Sequence, residues 1–264
     1  MGIAIGTSGW SYDHWTNVLY PEGLPARDRL EYYARAFRSV ELNASFYRWP
    51  RESAFASWQR RLPDGFQLSV KAPRGLTHGK KLYEPEVWIE RIERGWHELG
   101  DKRAVLQVQL PPTMERDDAR LDYFLGALPP WIRVAVELRH ASWDHGDVYR
   151  LLERHNAAYV VMSGAGLPCV LRVTSDIAYV RMHGPSDDHL YSGSYSDADL
   201  NWWADRIDEW DHGGTRVYVY FNNDGDGHAV RNAQRLIDIL VQRGLNVDIA
   251  EPSEILHQVH NFRA

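Results

Sequence analysis

Cysteine is almost missing from this chain. Cys169 stands alone among 264 residues, so no internal disulfide can form, which fits a reducing compartment. No apolar run approaches the ~20 residues that a membrane-spanning helix needs. The opening MGIAIGTSGW has neither the basic region nor the apolar stretch of a secretory signal. Gly6 stands where a myristoylation signal carries Ser or Thr. Basic charge is not in excess either. The net charge of −6 speaks against a globally basic nucleic-acid binder and leaves a local basic site open. These absences lead to the expectation of a cytoplasmic protein that does not associate with membranes.

Several catalytic signatures are also lacking. Gly6-Thr7-Ser8-Gly9-Trp10 follows the first apolar run but is no dinucleotide fingerprint, and Thr7-Ser8-Gly9 is no G-x-S-x-G nucleophile elbow. Twelve histidines include no H-x-H and no H-E-x-x-H. The stretch NNDGDG starting at Asn222 looks like a calcium loop, but no glutamate falls at its twelfth position. Neither a metal nor a cofactor is expected.

What the chain does have is alternation. Apolar, β-branched runs recur at residues 3–7, 39–43, 67–71, 104–110, 132–139, 158–162, 178–183 and 216–222. Helical spacing fills most intervals, at 28–37, 54–61, 86–99, 119–128, 146–155, 198–210 and 229–243. Strand alternating with helix implies a parallel sheet, and eight repeats fit an α/β (β/α)8 TIM barrel over a single domain, residues 1–264. The other reading is an open doubly wound sheet. Around residues 162–197 the pattern breaks at Gly164-Ala165-Gly166-Leu167-Pro168, so an irregular connection is expected between the sixth and seventh strands.

The two-residue period of a strand shows where a site would lie. In SVELNASFY, Glu41 and Asn43 point one way while Val40 and Leu42 point the other. The same holds for Gln67, Ser69 and Lys71; for Gln107 and Gln109; for Glu137 and Arg139; for Tyr179, Arg181 and His183; and for Tyr218, Tyr220 and Asn222. Six strands become polar toward their C-terminal ends. In a barrel those positions floor the mouth where barrel enzymes place their chemistry. The plainer reading is a satisfied network of Glu41, Lys71, Glu137, Arg139 and Arg181, because buried charges are usually paired.

The runs GTSGWSYDHW, SVELNASFYRWP, FQLSVKAPRGLTH, ELRHASW, YVRMHG and YFNNDGDGHAVRNA, taken in order, resemble the YecE-like family of uncharacterised proteins across nearly the whole chain. The resemblance implies a TIM barrel and no established activity. That family pattern reads Asn-Ser-Thr-Phe-Tyr where this chain has Asn43-Ala44-Ser45-Phe46-Tyr47, so Ala44 departs from it by lacking a hydroxyl and receives no role. A likeness to endonuclease IV-like or sugar-isomerase-like barrels holds at the level of fold and does not fix function.

Candidate roles follow from chemistry. Glu137 and Glu41 are carboxylates approaching the mouth from different sides; nearby cations keep them ionised, which suits a base or an electrostatic role. His183, or His140, is then the expected proton donor. Lys71 would act as a Schiff-base nucleophile only if desolvated or set beside another cation. Arg181 and His183 lie beside the loops after the seventh and eighth strands, where barrels often hold phosphate, and the second of these loops carries Asn222 and Asn223. Asp224 and Asp226 argue against this, since they can simply cap the following helix. Arg139 is a further expected substrate contact at the mouth. Asn43 and Gln107 complete the polar lining. Most aromatic loop residues are expected to pack loops and helices, while some of Trp10, Tyr47, Trp143 and Tyr195 are expected to wall the pocket. The expected function is acid–base chemistry on a small, polar, anionic or phosphorylated substrate. The alternatives are a nucleic-acid binder or phosphodiesterase, and a ligand-binding protein without turnover.

Overall fold

The computed structural model describes residues 2–186 and 188–250. Its strands are β1 (Ile3–Thr7), β2 (Ser39–Leu42), β3 (Gln67–Lys71), β4 (Arg103–Gln109), β5 (Val134–Glu137), β6 (Ala158–Ser163), β7 (Ile177–Met182) and β8 (Arg216–Phe221). The helices are α1 (Arg29–Tyr33), α2 (Ala44–Tyr47), α3 (Glu52–Arg61), α4 (Glu86–Glu98), α5 (Asp118–Ala127), α6 (Gly146–Arg154), α7 (Asp197–His212) and α8 (His228–Gln242). All strand pairings are parallel, in the order β1-β8-β7-β6-β5-β4-β3-β2. The expected barrel is therefore present, and the open-sheet reading is discarded. The expected domain runs on to residue 264, and residues 251–264 lie outside the described ones.

Period-two patterning explains the two cores. Outward residues such as Val40, Leu68, Val108, Val136, Val180 and Val219 join the helices in one large apolar cluster. Inward residues form a smaller one, in which Ala4, Ala135, Ala158 and Val160 meet Tyr179, Tyr218 and Tyr220. Small side chains on one wall make room for tyrosines from the other, so the barrel is filled rather than hollow. The tyrosine hydroxyls need partners when buried. Tyr220 Oη finds Ser39 Oγ at 2.6 Å and Ser69 Oγ at 2.9 Å.

The eight pairings are unequal. β5 meets β6 through two register pairs, Ala135 with Ala158 and Val136 with Tyr159. β1 meets β2 through a single bridge, Ser8 with Glu41. At that seam Gly6 lets the backbones approach, since a Cβ there would lie 2.0 Å from the Ser39 carbonyl oxygen. Tyr33 bridges the gap. Its hydroxyl accepts from the Thr7 N–H (3.0 Å) and donates to the Ser39 carbonyl (3.0 Å). Tyr33→Phe strands both buried backbone groups, so it should cost about 1–3 kcal/mol. Urea denaturation measures it, and a loss below about 0.5 kcal/mol would show that the seam does not depend on this hydroxyl.

Three local departures from expectation have clear causes. α1 is shorter than the expected 28–37, because a 3-10 turn precedes it and tighter turns follow Tyr33. β2 ends at Leu42, because Asn43 already has helical backbone angles and leads into α2. Asp224 and Asp226 do not cap α8, whose N-cap is Gly227. Asp224 instead accepts from Trp15 Nε1 (2.6 Å) and pairs with His14 (3.1 Å), tying the loop after β1 to the loop after β8. Between β6 and β7 there is no helix, as the Gly164–Pro168 break implied. Thr174 fastens that coil by donating to the Ala157 carbonyl (2.6 Å) and accepting from the Tyr159 N–H (2.8 Å).

Candidate active site at the barrel mouth

β2, β5 and β7 end in one chain of charges. Arg181 is fully buried, and all three of its guanidinium nitrogens donate to carboxylates. Nε and Nη2 hold Glu41 at 3.0 and 2.8 Å, and Nη1 holds Glu137 at 2.6 Å. Arg139 Nε takes the other oxygen of Glu137 at 2.6 Å. Neutral donors complete the shells. Ser8 Oγ (2.5 Å) and Tyr179 Oη (2.7 Å) donate to Glu41, and Gln107 Nε2 (2.9 Å) donates to Glu137. Burial alone would favour the neutral Glu137 acid, but Arg181 and Arg139 outweigh it and hold its pKa well below the usual carboxylate range.

This arrangement revises the role expected of Arg181. A guanidinium whose every nitrogen is committed to buried carboxylates is not free to take a substrate anion. The paired-network reading describes Arg181, Glu41 and Glu137 well. It does not describe Lys71. Lys71 ends β3, is partly buried, and lies with Nζ 4.5 Å from the centre of the Phe46 ring. Among the described residues it makes no ion pair. Burial, followed by the charge of Arg181, brings its pKa down from the ordinary lysine value to about 7.

His183 also behaves differently from expectation. It is buried, and burial together with Arg181 pushes its pKa well below the ordinary histidine value. It is a neutral imidazole at pH 7 and does not serve as the proton donor. Asn222 Nδ2 contacts its Nδ1 at 3.2 Å, which places the ring proton on Nε2. That Nε2 is buried without a protein partner, as are Asn43 Oδ1 and Gln107 Oε1. His140 is occupied locally, its Nδ1 accepting from the Ser142 N–H.

The remaining expected residues divide between rim and support. Tyr47 is 80% exposed and stands on the rim. Trp143 does not wall the mouth. It is buried in the outer core and donates to the Met114 carbonyl. Tyr195 is likewise buried, donating to Ser163 Oγ and accepting from the Gly184 N–H. Asn223 is buried and spends its amide on Gly193 and Asn232. Trp10 packs edge-on against Trp58. Long loops fold back over the barrel here, so a loop aromatic fills core as readily as it lines a pocket.

Four contributors escaped the sequence reading. Ser8 and Tyr179 donate to Glu41; Phe46 carries Lys71; Tyr191 accepts from Arg139 (3.4 Å) and packs edge-on against His183. Only Tyr179 carried a signal, its inward position two residues before Arg181. Surface concavities of 440, 420 and 370 Å³ lie away from this cluster, the first between Glu31, Arg38, Arg61 and Pro63 at the N-terminal end of the barrel. In this architecture that end contributes to stability and the opposite end carries chemistry. Among the described residues no three His, Cys, Asp or Glu side chains are grouped to hold a metal ion. None of the described helices is long and apolar enough to cross a membrane.

Fold and mouth together define a (β/α)8 barrel protein with a buried ionic network beneath an amine that lacks a counter-ion. Residues 4–256 match the family model described as "Protein of unknown function DUF72", and the chain belongs to that family. Among curated proteins it is 26% identical over 273 residues to UPF0759 protein YunF of Bacillus subtilis, covering 90% of this chain and 94% of that one. It is 29% identical over 142 residues to UPF0759 protein YecE of Escherichia coli, covering 53% of this chain and 50% of the relative. A crystal structure of a DUF72 family protein from Thermotoga maritima superposes with a TM-score of 0.82 at 29% identity, over 91% of this chain and all of that one. One from Enterococcus faecalis gives 0.81 at 19% identity, over 96% and 99% of the two chains, and shares the fold.

Proposed function

We propose that the mouth binds a small polar molecule carrying negative charge and acts on it by proton transfer through Lys71. The observation that carries this reading is the group of buried polar atoms left without protein partners, namely His183 Nε2, Asn43 Oδ1 and Gln107 Oε1, beside an amine with no counter-ion. Buried polar groups are rarely left unpaired, and a ligand that pairs them accounts for the exception. Charge supports an anion. Glu41 and Glu137 balance Arg181 and Arg139, so protonated Lys71 leaves the cluster positive. The acid–base assignment follows the pKa values. Glu137 stays ionised and His183 stays neutral at pH 7, whereas Lys71 titrates there and can both give and take a proton.

A thermal-shift series with inorganic phosphate and small carboxylates tests the reading. A ligand at 100 times its dissociation constant adds about 2.7 kcal/mol, which should raise the midpoint by roughly 5–10 °C. Lys71→Met, compared with its own ligand-free midpoint, should lose most of that shift. If no anion moves the wild-type midpoint, or if the variant responds equally, the mouth is not an anion site.

A further inference from the structure

We propose that Lys71 is a nucleophile that forms a Schiff base with a small aldehyde or ketone carrying an anionic group. This rests on the mouth being a substrate site and names the substrate class for it.

The geometry separates Lys71 from the other lysines. The chain has four, at 71, 80, 81 and 102. Lys102 is buried and pairs with Asp64 and Asp101; Lys80 is exposed and pairs with Glu84. Lys71 is partly buried, yet its amine rests on the Phe46 ring. Its backbone is held by Ser45, whose Oγ lies within hydrogen-bond distance of the Lys71 carbonyl (2.7 Å) and the Leu42 carbonyl (2.8 Å) and shares its one proton between them. The charges that act on it are Arg181 from β7, Glu137 at the end of β5, Arg139 just after β5, and Glu41 from β2. His78, after β3, and His183, after β7, lie near enough to feel its charge. The two carboxylates would ordinarily hold an ammonium, but the two arginines already occupy them. Burial, then the charge of Arg181, lowers its pKa to about 7, so the neutral amine is abundant at physiological pH. Desolvation and a cationic neighbour are the conditions that make a lysine nucleophilic.

The reaction needs no oxidant or reductant. The Lys71 Nζ lone pair attacks the carbonyl carbon, forming a C–N bond while the C=O π pair moves to oxygen. The nitrogen gives up both of its protons, the oxygen takes up these two, and the C–O bond breaks to release water. The imine that remains can accept an electron pair from the adjacent carbon. His183 Nε2–H, which has no protein acceptor, can hydrogen-bond to that oxygen while keeping its own proton.

Glyoxylate in excess, followed by borohydride reduction and peptide mass mapping, tests the proposal. At about pH 7 the adduct on Lys71 should exceed that on Lys80 by at least about tenfold, because desolvation and a cationic neighbour activate only the Lys71 amine. Its yield should fall below about pH 6. Lys71→Arg should give no adduct in that peptide, and Lys71→Met provides a second check should the arginine not fit. Equal labelling of Lys71 and Lys80 across this range would overturn the proposal. Glyoxylate that raises the melting midpoint without forming an adduct would overturn the Schiff base and leave the anion site standing. Neither a shift nor an adduct would remove both.

Discussion

Arg181→Met is expected to destabilise the barrel by about 3–5 kcal/mol, because it leaves two buried carboxylates without their shared cation. Glu41 and Glu137 both lie at 0% exposure and both depend on Arg181. For a chain of this size the melting midpoint should fall by about 10 °C or more. The loss should also depend on pH in a defined direction. In the wild type the Glu137 pKa is depressed, so its contribution is present above the unfolded-state value and is lost only as pH falls toward the folded one. In the variant the two carboxylates face each other and at least one pKa rises, so its stabilising share is present at low pH and lost as pH increases. The wild type should therefore exceed the variant by more at pH 8 than at pH 5. Arg181→Lys should recover only part of the loss, since one ammonium cannot span both carboxylates as the planar fork does. Urea titrations at the two pH values decide the matter; a pH-independent loss below about 1 kcal/mol would mean that Arg181 does not hold the network together.

Lys71→Met should act in the opposite sense on stability. The folded pKa of about 7 lies below the unfolded value, so unfolding takes up a proton between roughly pH 7 and pH 10. Stability of the wild type consequently rises with pH across that window, and the fold bears a penalty below it. The variant lacks the penalty. We expect it to gain about 2 kcal/mol at pH 6, less than a fully buried amine would give because water reaches part of the side chain. The midpoint should rise by about 4–8 °C, and the gain should shrink toward pH 10. Calorimetry across the pH range reads this directly. A variant less stable than the wild type at pH 6 would show that Lys71 is a structural partner of the ionic network.

The architecture was legible because alternation in a strand is geometric. Once residues 67–71 or 177–182 are extended, Lys71 and Arg181 must share the inward face with Ser69 and Tyr179. Strand ends were less legible, since Asn43 has the composition of a strand end but takes helical angles to begin α2. Partnership was hidden for a different reason. That Arg181 meets Glu41 and Glu137 depends on closure bringing β7 opposite β2 and β5, which no local pattern encodes. The low pKa of Lys71 depends on that same closure. Trp143 and Tyr195 show the limit for loops, because burial there follows the path of the chain and not a repeat.

The thin seams at β1–β2 and β5–β6 divide the barrel into two four-stranded halves, β2–β5 and β6–β1. Arg181 belongs to one half and both of its carboxylates to the other, and Ser8 and Tyr179 reach across in the same sense. The ionic cluster is therefore a clasp as well as the floor of the mouth. Separating one half from the other would have to break these same contacts, so the cluster bears on the closure of the barrel as much as on the mouth.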